Sequence, residues 1–216
     1  MSTSEERGRS MRTGNGTAMV FVLRTEHHVG QQVTREDAVD AAVRGMLMIL
    51  ADRRPEVIAA VEHWVDGPFA KIVKRARGKG WEQIETIDSL LNAHVRVGTA
   101  EMIVFSPMAL EEQPPAVRSA QVSGLKLESG CRPPVPGGLV MHVNDALGMT
   151  TGKIIAQVCH AVQVFVSAHP RRTRLWLDAG GHINLVNGIT SGEHSVVITD
   201  AGHTEIDPGS VTVVVD

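Results

Sequence analysis

The segment GMTTGKIIAQVCHA, residues 148–161, places a lysine at the start of an apolar helical run. Lys153, Gln157 and His160 are spaced by four and three residues, so a helix aligns their side chains in one stripe. A lysine in this position could hold a phosphate, take part in catalysis, or form part of a solvated helix face. The spacing of the neighbouring residues separates these possibilities.

A phosphate-binding P-loop requires glycine, four residues, and then glycine, lysine and serine or threonine. Here only three residues separate Gly148 from Gly152, and isoleucine follows the lysine. The nucleotide-loop interpretation therefore fails at both positions. Thr150 or Thr151 has the residue type of a helix N-cap, so the segment predicts the beginning of a helix.

A second polar segment, DAGHTEIDPGS, follows the predicted strand HSVVIT. Asp200 comes directly after that strand, and the glycines and proline that follow predict two turns. If this strand runs parallel to the strand LVMHV, Lys153 and Asp200 lie at the sheet edge where α/β folds place their sites. Such a pair is either a simple ion pair or a device that orients water for attack on an ester.

The two segments together resemble the type-two peptidyl-tRNA hydrolases. That family carries G-M-G-K-G-K-I-A-A-Q-x-x-H-A on its first helix and D-A-G-x-T-Q/E-I-x-P-G-S/T later in the chain. Both motifs occur here in the same order, and the resemblance covers residues 138–216. An earlier part of the chain shares only the order of elements and a W…FAKIV segment with the family.

The resemblance implies an esterase that releases the peptide from tRNA by water attack on the ester, with Lys153 and Asp200 as the catalytic pair. It also implies a set of substrate-binding residues: Gln157, His160, Thr204, Pro208, Gly209 and Ser210. The chemistry needs no cofactor or metal, and the histidines show no paired ligand spacing. Peptidyl-tRNA is the expected partner.

Four positions depart from the family pattern. Thr151 replaces a lysine, His203 replaces an arginine, Glu205 stands where glutamine is more common, and Asp207 replaces a small residue. These changes remove positive charge from a face that should meet tRNA. Two alternatives therefore remain: a catalytically silent relative that binds RNA or protein, and a hydrolase of a small acylated molecule.

Strands and helices alternate twice in the same order, which suggests a duplication. We expect an α/β fold with a mixed, mainly parallel sheet flanked by helices, in a three-layer α/β/α arrangement of two tandem units. In the second unit only ITSGE fills the interval where the family has another helix. The predicted boundaries are a disordered arm at 1–16, a degenerate hydrolase-like unit at 17–127, a linker at 128–137, and the unit with the site at 138–216.

Such a chain would form a pseudo-dimer by itself, or a homodimer. The segment KIVKRARGK, residues 71–79, carries five cations and is either a phosphate-contacting patch or a solvated strand end. The sequence shows no membrane-spanning run and no secretion signal. Cys131 and Cys159 match no metal spacing and are expected to be free thiols, so a cytoplasmic location is expected.

Overall fold

The computed structural model describes residues 16–26, 32–67, 70–87, 91–130, 132–202 and 205–216. Within these ranges we number the elements in chain order. The strands are β1 (Thr17–Arg24), β2 (Ala70–Ala76), β3 (Asn92–Val97), β4 (Ala100–Ala109), β5 (Leu139–Val143), β6 (Ile183–Asn187), β7 (Val196–Thr199) and β8 (Val211–Val215). The α-helices are α1 (Arg35–Ala51), α2 (Pro55–Val65), α3 (Gly78–Glu85), α4 (Pro115–Ser119), α5 (Thr151–Ala168) and α6 (Pro170–Asp178). The predicted arm, apart from Gly16, and Cys131 lie outside the described residues.

The chain builds two four-stranded sheets with the same topology. The N-terminal half contains the order β2-β1-β4-β3, and the C-terminal half contains β6-β5-β8-β7. Counted in chain order, the first strand of each sheet pairs in parallel with the second strand and antiparallel with the fourth. The third strand is antiparallel to the fourth. The predicted α/β fold with mixed sheets is confirmed, and the repeated strand order agrees with two tandem units.

The sheets are mixed and mainly parallel in strand direction, as expected, because three strands of each sheet run the same way and the last strand in chain order runs opposite to them. Each sheet has one parallel and two antiparallel pairings, because the third and fourth strands of each sheet follow one another as neighbours. The two strands that lead to the candidate site, β5 and β7, run in the same direction. β5 and β7 are both antiparallel to β8, so their C-terminal ends lie at one edge.

The two sheets differ in how their faces are covered. In the N-terminal half, α1 and α2 pack on β4, while α3 and α4 enclose a separate small core around Trp81, Ile84 and Phe105. This half is the predicted three-layer arrangement. In the C-terminal half α5 packs on β7 and β8, and the described residues 188–195 between β6 and β7 form no helix. The absence of a helix in this interval was predicted. The C-terminal sheet consequently lacks the counterpart of α3.

Helix α5 forms because its sequence supplies a cap and a continuous apolar face. The Thr150 side chain accepts a hydrogen bond from the backbone N–H of Lys153, as an N-cap threonine does. Ile155, Val158 and Val162 are fully buried, and each such side chain contributes about 1.5–3 kcal/mol. The helix ends before Pro170, whose ring suits the first position of α6.

The two halves share one hydrophobic core. α1 packs against α5, α5 also contacts β2, and α1 also contacts β6, so each helix touches an edge strand of the opposite half. The fully buried Asp40 of α1 accepts a hydrogen bond from the Ile183 N–H of β6 at 3.2 Å. Lys71 of β2 donates to Gln163 of α5 at 2.9 Å. The contacts between the halves are therefore reciprocal, because the central helix of each half packs on an edge strand of the other.

Residues 121–130, which we call the connecting segment, cross the beginnings of both central helices. The Thr151 N–H donates to Leu125 O at 2.8 Å, and the Leu127 N–H donates to the Thr151 hydroxyl at 2.9 Å. Further along, the Arg35 N–H donates to Glu128 O at 2.9 Å. The predicted linker therefore begins in a segment that is bonded to the fold. No helix in the described residues is long and apolar enough to cross a membrane.

Candidate active site

The first turn of α5 and the loop after β7 bring the two predicted catalytic side chains together. The Lys153 ammonium forms an ion pair with Oδ2 of Asp200. Only 11% of the Lys153 side chain and 4% of the Asp200 side chain are exposed, so water screens this pair poorly. The proximity predicted from the two sequence segments is therefore present.

The backbone of Asp200 is fixed by the loop that it begins. Its N–H donates to Ser210 O at 2.9 Å, and its carbonyl accepts from the Gly209 N–H at 2.7 Å. The carboxylate receives a further bond, because the Gly202 N–H donates to Oδ1 at 2.8 Å. Both oxygens of Asp200 are thus oriented before any substrate arrives.

Pro208 and Gly209, which were predicted to bind substrate, shape this loop. Gly202 has a φ of 78°, and a Cβ there would approach the Pro208 ring to 2.7 Å, so only glycine fits against the proline. Gly209 has a φ of 83° and supplies the N–H that bonds Asp200 O. The described contacts of Ser210 are made by its backbone, with its N–H donating to Asp207 O at 3.3 Å.

Gln157 extends the site by one helical turn. Its Nε2 donates to Asp200 Oδ2 at 2.6 Å, so the same carboxylate oxygen receives Lys153 and Gln157. The Gln157 Oε1 lies 3.2 Å from the Thr212 hydroxyl, which also lies 3.2 Å from Ile198 O. The side chains of Asp200, Gln157 and Thr212 are all buried.

Thr212 is a site residue that the sequence did not reveal. The register between β7 and β8 shifts between Ile198 and Thr199, so that Thr212 has no partner across the ladder. Such a bulge redirects a side chain, and here the hydroxyl meets Gln157 of α5. The only available signal was one polar residue in the strand sequence VTVVV.

His160 lies one helical turn beyond Gln157, and the charged residue that affects its pKa is Lys71 of β2. Burial, together with the positive charge of Lys71 from β2, lowers the pKa of His160 to about 4. The imidazole is therefore neutral near pH 7. Burial likewise lowers the pKa of Lys71 to about 8. The remaining predicted site residue, Thr204, lies outside the described residues, as does His203.

The N-terminal half carries an altered version of this arrangement. Thr34 caps α1 as Thr150 caps α5, and the third residue after it is Asp37, where α5 has Lys153. The Asp37 carboxylate accepts bonds of 2.8 Å from both the N–H and the hydroxyl of Thr99, in the turn after β3. Asp37 thus places a negative charge where the equivalent position of α5 carries the positive charge of Lys153. Its carboxylate lies against the turn after β3.

One group of possible metal ligands occurs among the described residues, away from this site. Ligand atoms of Glu85, His94 and Glu101 lie within 4.8 Å of one another. Glu101 is buried, which favours its neutral form, yet hydrogen bonds from Arg96, Arg24 and His94 lower its pKa to about 2. Because two guanidinium groups already neutralise this carboxylate, the cluster is best described as an ion network around the buried Glu101.

Comparison with known proteins identifies the C-terminal half. A family model described as peptidyl-tRNA hydrolase PTH2 matches residues 138–194, which include α5 and end before Asp200. The peptidyl-tRNA hydrolase of Methanocaldococcus jannaschii is 33% identical over 93 residues, covering 35% of this chain and 81% of the relative. The chain belongs to the PTH2 family.

A second PTH2 relative is the peptidyl-tRNA hydrolase 2 of Saccharomyces cerevisiae, which is 35% identical over 112 residues. That match covers 40% of this chain and 54% of the yeast protein, so the chain spans about half the length of this relative. No solved structure gives a significant match.

The structure shows how this PTH2 member accommodates the departures from the sequence motif. Thr151 is 3% exposed and bonded to the connecting segment, so the position of the motif lysine is covered by protein. The Glu205 carboxylate reaches the beginning of α5, where it accepts from the Thr150 N–H at 3.0 Å and from the Thr150 hydroxyl at 2.6 Å. Position 151 thus lacks the positive charge of the motif lysine, and position 205 carries glutamate, the charged alternative of the two residues that the motif allows.

The five cations of the basic segment, residues 71–79, are not all directed to solvent. Lys74 is buried and donates to Gln113 Oε1 at 2.9 Å and Val117 O at 2.7 Å, and burial lowers its pKa. Arg75 donates to Gly124 O at 3.3 Å, and Lys71 bonds Gln163. Three of the five cations therefore point into protein contacts, which weighs against the segment acting as one phosphate-binding patch.

Proposed function

We propose that this PTH2 member is an esterase that hydrolyses peptidyl-tRNA. The observation that carries the proposal is the buried Lys153–Asp200 pair, together with the amide of Gln157 on the same carboxylate oxygen. Two charged groups and a neutral donor within one hydrogen-bonded cluster provide the components for water-mediated ester hydrolysis.

In the proposed reaction Asp200 orients a water molecule and accepts its proton. The water oxygen forms a bond to the ester carbonyl carbon, and negative charge develops on the carbonyl oxygen. Lys153 stabilises that charge, with its position near the N-terminus of α5 adding positive potential. The bond to the ribose oxygen then breaks, and the proton held by Asp200 passes to the leaving alcohol.

The support for this assignment is that each group is held before substrate binds. Gly202 and Gln157 each donate to one oxygen of Asp200. The Thr150 cap fixes the first turn of α5, which carries Lys153. Such preorganisation is the main way in which a protein lowers the barrier of a charged transition state.

We further propose that the N-terminal half, residues 17–127, is a degenerate unit that supports the C-terminal unit, residues 138–216, in a pseudo-dimer. The reciprocal packing of α1 and α5 and the acid at position 37 support this division. The proposal places the protein in the cytoplasm, where its substrate is made.

A second candidate is a hydrolase of a small acylated molecule. It is favoured by the covered Thr151 and by the Glu205 carboxylate at the start of α5, since both reduce the attraction for a polyanion. In that case Lys153 and Asp200 would keep the same roles on a substrate without tRNA.

The test is hydrolysis of an N-acetyl-aminoacyl-tRNA by the purified full chain. We expect release of the N-acetyl-amino acid, and a loss of about 100-fold or more in kcat for Lys153→Ala, the scale seen when one oxyanion-stabilising donor is removed. Lys126→Ala, which removes the same charge from an exposed position, is the matched control.

Three outcomes distinguish the candidates. Steep salt dependence of kcat/KM supports tRNA as the substrate. Salt-insensitive turnover of a short acyl ester without turnover of the charged tRNA favours the second candidate. Absence of any hydrolysis, with RNA binding retained, would show a catalytically silent relative.

A further inference from the structure

The beginning of α5 is already occupied by groups from the chain itself. Three of the four N–H groups that a helix start leaves unpaired have partners here: Thr150 bonds Glu205, Thr151 bonds Leu125 O, and Lys153 bonds the Thr150 hydroxyl. A helix start normally attracts phosphate because of these N–H groups and the helix dipole. In this protein a carboxylate and a carbonyl fill those positions instead.

Glu205 belongs to the same loop as Asp200 and approaches α5 three residues before Lys153. Its two carboxylate oxygens receive separate bonds, at 3.0 Å and 2.6 Å, so the side chain is held in one orientation. In peptidyl-tRNA the nearest phosphate is only one nucleotide unit away from the ester. A negative charge at the start of the helix that carries Lys153 therefore opposes this phosphate, but has no such effect on an ester that carries none.

We propose that Glu205 is a specificity residue that lowers the preference of this site for tRNA relative to short acyl esters of a ribose alcohol. The inference rests on the proposed esterase function for its catalytic readout. It concerns substrate choice and assigns no step of bond breaking to Glu205.

The variant Glu205→Gln separates the effect of the carboxylate charge from the effect of the contact with Thr150. The glutamine amide oxygen can still accept from the Thr150 N–H, so a contact with Thr150 is retained while the negative charge is removed. Glu82→Gln is the matched control, because Glu82 is also exposed and lies on α3, on the opposite side of the N-terminal sheet. Both variants change the net charge by the same amount.

Two readouts are needed. The first is binding of uncharged tRNA at about 50 mM salt, where the Debye length exceeds about 10 Å. We expect Glu205→Gln to bind about three- to tenfold more tightly than wild type, with a steeper salt dependence. The second is the ratio of kcat/KM for an N-acetyl-aminoacyl-tRNA to that for the corresponding N-acetyl-aminoacyl-adenosine. This ratio should rise by a similar factor.

The outcomes separate this inference from the function on which it rests. Equal tRNA affinity and equal salt dependence in Glu205→Gln, Glu82→Gln and wild type would overturn the specificity role, whatever the catalytic activity. If wild type hydrolyses neither ester, the proposed function fails, while the binding readout still decides the role of Glu205. A gain shared by the Glu82→Gln control would show a net-charge effect and also overturn the inference. Glu205→Ala, which removes both the charge and the contact with Thr150, should change tRNA affinity in the same direction as Glu205→Gln.

Discussion

At the scale of single residues, the candidate site is a buried polar network in which every contact restricts another. Asp200 receives Lys153 and Gln157 on one oxygen and Gly202 on the other, and Thr212 holds the far end of the Gln157 amide. Buried polar groups are costly unless paired, so this network specifies one arrangement of the loop and helix. Beyond the network, His160 is kept neutral by burial and by Lys71.

The lowered pKa of His160 predicts a pH dependence of stability. The unfolded chain binds a proton with the ordinary histidine pKa of about 6.5, whereas the folded chain binds it only near pH 4. Between these values the unfolded state binds more protons, so stability is fully present above about pH 6.5 and falls as the pH is lowered.

We expect His160→Gln to remove about 1 kcal/mol of the stability difference between about pH 7 and pH 5, after allowing for partial solvent exposure. Urea denaturation at the two pH values measures this difference. An identical loss of stability in wild type and variant would show that His160 does not titrate as the structure indicates. The variant His63→Gln, at an exposed position of α2, controls for the loss of a histidine.

At the scale of elements, the connecting segment explains the most conspicuous departure from the PTH2 motif. The lysine of the motif is replaced by Thr151, whose hydroxyl and N–H both bond residues 125–127. A lysine side chain there would have to displace the segment or bury its charge. The threonine is thus tied to a segment that also anchors the start of α1 through Glu128.

Restoring the motif lysine should therefore destabilise the protein without restoring a tRNA contact. We expect Thr151→Lys to lower the free energy of unfolding by about 2–3 kcal/mol, because a buried hydroxyl partner is lost and a charge must be accommodated. Thermal or urea unfolding measures the change, and Thr151→Ser, which keeps the hydroxyl, should stay close to wild type. A stable Thr151→Lys variant with stronger tRNA binding would contradict this role for the connecting segment.

At the scale of the whole molecule, two sheets of identical strand order share one core through α1 and α5. The buried Asp40 illustrates the dependence between the halves, since it bonds Arg132 at 3.0 Å and the Ile183 N–H at 3.2 Å. Only the C-terminal half combines a lysine on its central helix with an acid after its third strand. The N-terminal half has Asp37 at the helix position and supplies packing to both central helices.

The sequence predicted those parts of this architecture that depend on local pattern. Residue type, spacing and segment length predicted a threonine cap on α5 at Thr150 or Thr151, the proximity of Lys153 and Asp200, and the absence of a helix after β6; the structure places the cap at Thr150. The mixed character of the sheets was predicted, but the order of their strands was not, because strand pairing depends on which strands meet in space. Thr212 and the contact of Glu205 could not be predicted, since a register shift and a loop closure create them.

The central claim is that Asp200 and Lys153 together hydrolyse an acyl ester. Its most direct test is single-turnover hydrolysis of an N-acetyl-aminoacyl-tRNA by Asp200→Asn, which keeps the shape of the side chain but removes the base. Asp207→Asn, at an exposed position of the same loop, is the control. We predict that Asp200→Asn lowers the rate by about 100-fold or more while Asp207→Asn stays within about threefold of wild type. A wild-type rate in Asp200→Asn would contradict the assignment of this site.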